Sequence, residues 1–252
     1  MVFSCHDRKE RWSPGPPSAS RAGGVDTNMG MNPLPRRRSE RSEARGATDA
    51  LLDLLQIADS SFPSGSYAHS LGLETLYSLE AVDLEEHLRF LLENGLARVE
   101  LPVLRLAFHG EDPQALDLLM DVLMPVKEFR LASRSIGRSF LRAVSRIKPA
   151  RADVEHHAVA FGVVLSDWKL DLSDGLHLYA FQAVRQQLSA AQRLGKIGQT
   201  EMQDRLHALK PAVQAAVETS HLVQRDEIGG FSPWLDLAGI AHEHQHARLF
   251  LS

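Results

Sequence analysis

Apolar residues recur at helical spacing along almost the whole of residues 49–252, and that period limits what the chain can fold into. From Asp83 onward, Leu84, Leu88, Leu91, Leu92, Leu96, Val99, Val103 and Leu106 fall on one face of a helix. Asp83 is placed to cap that helix, with Glu86 three residues on completing a capping-box-like start. Phe129, Ala132, Ile136, Phe140, Val144 and Ile147 trace a second stripe, which Pro149 is expected to end. Leu178, Phe181, Val184, Leu188 and Ala191 trace a third, closed at Gly195. Thr200 with Gln203 predicts another capping box, Pro211 suits a first helical turn, and Ser232 with Pro233 predicts the start of a last helix. No stretch alternates with period two over β-branched residues, and no long internal repeat suggests a solenoid. The expectation is an all-α domain, a single compact bundle of about nine or ten helices over residues 49–252.

Residues 1–48 differ. They hold 5 of the 12 prolines and 5 of the 17 glycines and show no apolar periodicity, so they are expected to form a disordered Pro/Gly/Arg-rich extension. They carry 9 Lys+Arg against 5 Asp+Glu, which leaves the other 204 residues with 19 against 27, a net of −8. An acidic body offers no basic footprint to phosphates, so nucleic acid is not the expected partner. The one cysteine, Cys5, excludes a disulfide framework and a thiolate metal cage. There is no apolar run of membrane-spanning length, and the extension has no apolar core of signal-peptide length. A cytoplasmic protein that does not engage a membrane is expected.

Several short patterns point toward chemistry. His242, Glu243 and His246 spell H-E-x-x-H, and His244 adds a third imidazole. On one continuous helix from Ser232, His242 and His246 would share an edge, the arrangement a zinc hydrolase uses with the glutamate as base. Such a site normally takes a third ligand, often downstream, and little chain remains after His246. The polar border of a terminal helix is the favoured reading. A zinc hydrolase, and a carrier holding metal through His242, His244 and His246, stay open as alternatives. Adjacent His156 and His157 point about 100° apart on a helix, so a solvated or capping role is expected rather than chelation. Phe62 to Ser70, "FPSGSYAHS", reads as a tight turn at Pro63 and Gly65, with Ser64 or Ser66 able to cap the next helix. It lacks the G-x-S-x-G elbow of a serine hydrolase. "GKIGQT" (Gly195 to Thr200) has neither the order of a Walker A loop nor a strand before it, and its two glycines suit a turn with positive φ. No catalytic constellation emerges, and a binding or scaffold protein is favoured over an enzyme.

Taken in order, five blocks resemble the urease accessory protein UreF family. They are "LLQIADSSFPSGSYAHSLGLETL" from Leu54, "EFRLASRSIGRSFL" from Glu128, "HHAVAFGVV" from His156, "RLGKIGQTEMQ" from Arg193, and the terminal "HEHQHARLFLS". The resemblance implies an all-α, non-enzymatic chaperone that supports nickel delivery to apo-urease. It implies a dimer that binds UreD (UreH in some organisms) and recruits the GTPase UreG. GTP, magnesium and the nickel load would then be handled by partners, with no cofactor of this chain's own. It also implies that Arg248, Leu249, Phe250 and Ser252 contact UreD. The alternative for that segment is a frayed terminus with Phe250 tucked onto its own core. Pro63, Gly65, Ser70, Gly72 and Glu74 belong to the first block, as a partner contact or as a turn and cap needed for folding. Ser66 and Tyr67 stand where the family often has Gly/Ala and Phe, and Leu251 where a basic residue is common.

Overall fold

The computed structural model describes residues 36–80, 82–150, 153–246 and 248–252. The expected disordered extension lies outside the described residues up to position 35. From Arg36 the chain is already helical, because α1 runs Arg36–Ile57 rather than starting near residue 49. The sequence there, rich in Arg, Glu and Ala, has good intrinsic helix formers even though it has no apolar stripe. Near its end, Leu54 and Ile57 are buried in the core.

A 3₁₀ turn at Ser66–Ala68 and a short α2 (Leu73–Ser78) come next. Then a continuous rod forms from α3 (Leu84–Phe90), a π-helical stretch (Leu91–Glu100) and α4 (Leu101–Phe108). Asp83 caps it as expected, its carboxylate accepting from the Glu85 and Glu86 amides. The chain continues through α5 (Pro113–Leu123), α6 (Lys127–Val144), α7 (His157–Trp168), α8 (Leu172–Arg193), α9 (Gln199–Ala208), α10 (Lys210–Leu222) and α11 (Pro233–His242). No strand occurs among the described residues, and the fold is all-α.

The centre of the core is α7. Ala158 to Leu165 are all buried, so this stretch is apolar all round and enclosed, and only towards its end do Ser166 and Asp167 reach the surface. It lies on α4 at Gly162, where a Cβ would stand 2.9 Å from the Cβ of Ala107 and would collide with the Leu104 carbonyl. At its start, Gly137 of α6 admits the incoming backbone; a Cβ there would sit 2.8 Å from His157 N. α10 covers the π-helical stretch, and α8 spans α4, α9 and α10. Gly195 closes α8 in the left-handed region (φ 69°), with Lys196 N–H donating to Ala191 and Gly195 N–H to Gln192.

Several local expectations need correcting. α6 ends at Val144, one turn before Pro149, and Ile147 is left 44% exposed. α9 begins at Gln199 behind Gly198, so Thr200 lies inside the helix and does not cap it. Gly198 itself is extended at φ −84°, and only Gly195 uses positive φ. Gly65, not a serine, precedes the 3₁₀ turn, again in the left-handed region.

Candidate functional site

The site is a seat that the body builds for the C-terminal residues. Two features of the first block form its floor. Gly72, at φ 86°, starts α2 and is packed so closely that a Cβ would stand 3.2 Å from Phe129 and 3.4 Å from Leu235. That turn directs Glu74 inward, where it is 8% exposed. Glu74 Oε1 accepts the Leu249 N–H at 2.8 Å and Oε2 the Phe250 N–H at 3.2 Å. A buried carboxylate is stable when several donors surround it, and here two backbone amides from the tail do so.

Beyond Phe250 the tail continues along the turn. Leu251 N–H donates to the Ala68 carbonyl at 2.9 Å. The main-chain oxygen of Ser252 accepts from Ser70 N at 2.6 Å, Leu71 N at 3.0 Å and Ser70 Oγ at 2.9 Å. Ser252 Oγ meets His69 Nδ1 at 2.8 Å. Burial lowers the His69 pKa, against the nearby charge of Glu128. Gln187 of α8 fixes the same turn from below, donating to the Ser70 carbonyl at 3.1 Å. Phe250 is 3% exposed, and the Arg193 guanidinium lies between its ring and that of Tyr67, 4.1 Å and 3.6 Å from the two centroids.

His242, 0% exposed, joins this seat to α6. Its Nε2 lies 3.2 Å from Glu74 Oε2 and its Nδ1 2.6 Å from Glu128 Oε2. Glu128 also accepts from Arg248 at 2.9 Å. α11 is brought close by Gly239, where a Cβ would come within 2.6 Å of the Phe129 ring.

This arrangement corrects the reading of H-E-x-x-H as a motif on one helix. α11 ends at His242, with Glu243 as its cap, so His246 does not follow one turn later on the same helix. The Glu74 and Glu128 carboxylates occupy opposite nitrogens of the His242 ring, so one ion could not be held by the imidazole and both acids. Glu243 pairs with Lys127 at 2.7 Å; that partner lowers the Glu243 pKa and raises that of the lysine. His244 and His246 are exposed. Among the described residues no group of three or more His, Cys, Asp or Glu is placed to hold a metal ion.

His156 is likewise neither solvated nor a side-chain cap. It is 0% exposed, its ring between Ser133 Oγ at 3.0 Å and Asp121 at 3.1 Å, while Asp117 accepts the Glu155 and His156 amides. This network ties α5 and α6 to the start of α7.

Of the residues singled out in the sequence, Ser70, Gly72, Glu74, Arg248, Leu249, Phe250 and Ser252 come together. Pro63 and Gly65 lie on the exposed limb of the turn. Phe250 and Ser252 are buried in the chain's own core, whereas Arg248, Leu249 and Leu251 are exposed. His69, Glu128, Gln187 and Arg193 complete the seat without any local signal of that role. Their partners lie far away in sequence. His69, Glu128 and Arg193 stand within the family-like blocks, and Gln187 stands outside them.

A cavity of about 640 Å³ opens beside the seat, with Tyr67 and Arg193 in its wall. Deeper in it, Tyr179 donates to Glu100, the last residue of the π-helical stretch, at 2.6 Å, and His157 lies 5.0 Å from the Tyr179 ring. Burial raises the Glu100 pKa, against the Tyr179 hydrogen bond. Burial also lowers the His157 pKa to about 4. All three groups are thereby biased toward their neutral forms, since burial and the Glu100 charge hold Tyr179 protonated as well.

Fold and site together define an all-helical protein whose carboxylates and histidines serve to hold its own terminal segment. Residues 80–210 match the UreF family. The chain is similar to the urease accessory protein UreF of Chromohalobacter salexigens, 32% identical over 218 residues, 81% of this chain and 95% of that protein. It is 30% identical to UreF of Paenarthrobacter aurescens and 29% to that of a Nostoc species, over 80% of this chain and 97% and 95% of theirs. The chain belongs to the UreF family of urease accessory proteins.

Proposed function

We propose that this chain is a non-enzymatic accessory protein of urease, acting with UreD (or UreH) and UreG to deliver nickel to apo-urease. Family membership carries the reading. Nickel is cargo here, and GTP with its magnesium belongs to UreG. The chain acts in the cytoplasm, as a homodimer within the complex. Among the described residues no helix is long and apolar enough to cross a membrane.

The docking surface for UreD is the exposed side of the seated tail together with α11. Leu249 and Leu251 are 61% and 69% exposed, and Trp234, Leu237 and Ile240 stand outward at intervals of three on α11. Apolar side chains of that size beside an arginine have the composition of an interface hot spot. Phe250 and Ser252 are the anchors that set this surface, and Leu249, Leu251 and Arg248 are the side chains a partner meets.

The test is to express a urease gene cluster with and without this gene and measure nickel in the purified urease. Urease lacking its metal when the gene is absent is the expected result. Equal nickel content in both would refute the proposal.

A further inference from the structure

The polar groups deep in the cavity are short of partners. Tyr179 donates to Glu100 Oε2, and no other group among the described residues bonds that carboxyl. The His157 ring packs with Phe140, Phe161 and Tyr179, but neither of its nitrogens has a hydrogen-bond partner among the described residues. Glu100 and His157 are half-buried, and the surface they keep faces the cavity they line. A neutral carboxyl has an O–H to give, and a neutral imidazole has one N–H and one lone pair. Left unmatched in an enclosed place such groups are costly, and an occupant that both donates and accepts would match them.

One wall of the cavity is the π-helical stretch. A π-helix is usually a single-turn bulge and is frequent at functional sites; here it runs ten residues, Leu91–Glu100. Leu91, Leu96 and Val99 line the cavity from this wall. Gly95 leaves the wall open, since a Cβ there would meet only Leu91 Cδ1 within 4 Å, at 3.3 Å. Phe129 and Ile136 of α6 add further apolar lining. A volume of about 640 Å³ with mostly apolar walls and a few convergent polar groups is the form of a small-molecule site. Among the described residues no cation pairs with Glu100 and no acid with His157, so an ionic ligand would be desolvated there without a counter-charge.

We propose that this cavity binds an uncharged small molecule with an apolar body and a head that both donates and accepts hydrogen bonds, a carboxamide above all. The head lies against Glu100 and His157, and the body lies along the π-helical wall. This site is a property of the chain itself and does not depend on the accessory role proposed above.

The probes are benzamide and two charged counterparts of similar shape, benzoate and benzylamine, added to the full-length chain carrying ¹³C-methyl methionine. Met124 and Met202 line the cavity, whereas Met120 is buried in the core outside it. Benzamide is expected to move the Met124 and Met202 methyls along saturating curves, far more than Met120, with a Kd of about 1 mM or tighter. Benzoate and benzylamine are expected to bind at least about tenfold more weakly. Either ion binding as tightly as benzamide overturns the proposal. Methyls that stay in place up to about 10 mM benzamide, as in a cavity that takes only water, overturn it too. Glu100→Leu removes the partner of the head and is expected to weaken benzamide at least about tenfold. Undiminished binding by a folded Glu100→Leu chain is a third contradicting result, and the three probes on the unaltered chain decide alone should that variant fail to fold.

Discussion

The carboxylate of Glu74 accepts the backbone N–H of Leu249 at 2.8 Å, across 175 residues of sequence. Its second oxygen serves Phe250 and His242, so one side chain on a six-residue helix gathers the last helix and the tail. Glu74→Gln keeps the shape but removes the charge that balances those donors. Loss of about 2–4 kcal/mol of local stability is expected for a buried charged hub of this kind. Hydrogen exchange at the Leu249 and Phe250 amides should accelerate accordingly while α4 and α7 stay protected. Unchanged protection of the tail would show that Glu74 is not what holds it.

Two glycines on helices are expected to respond in opposite directions. At Gly137 a methyl group would run into the Glu155 carbonyl and stand 2.8 Å from His157 N, both backbone atoms that cannot move aside alone. Gly137→Ala should therefore destabilise the domain by about 3 kcal/mol or more, by the cost of overpacking. At Gly46, inside α1, a Cβ meets nothing within 4 Å, so Gly46→Ala should be neutral or stabilising by at most about 1 kcal/mol. Thermal unfolding of the two variants checks the contrast.

Acid should weaken the fold through His157. Its pKa is about 4 when folded against 6.5 in an unfolded chain, so between those values the unfolded state binds the extra proton. The stability contributed is present above pH 6.5 and is lost as pH falls toward 4. It amounts to at most about 3 kcal/mol, because the ring keeps some exposure to the cavity. His69 and His87, whose pKa values burial also lowers, act in the same direction. Glu100, with a raised pKa, acts in the opposite direction, losing its contribution as pH rises. Denaturant titrations at several pH values should show a flatter acid limb for His157→Gln than for the unaltered chain.

Local pattern made the helices legible, and distance hid the site. The stripe from Leu84 to Val103 is buried as its spacing requires, and Asp83 caps it, because both depend on neighbours within one or two turns. Where a helix stops is less local. α11 ends at His242, where the ring is drawn between acids from α2 and α6, so the periodic continuation to His246 fails. His156 looked like a surface histidine because Asp121 and Ser133 are not visible beside it in sequence. Arg193, in a segment legible only as a turn, finds two aromatic faces from residues 67 and 250.

In the function proposed, the body holds Phe250 and Ser252 so that Leu249 and Leu251 face a partner. Binding of UreD to the double variant Leu249→Asp with Leu251→Asp tests it most directly, with helix content and melting temperature measured in parallel. The expected result is a domain that melts like the unaltered chain and binds UreD at least tenfold more weakly, the loss of about 1.4 kcal/mol or more that hot-spot removal brings. Undiminished binding by a properly folded double variant would contradict it.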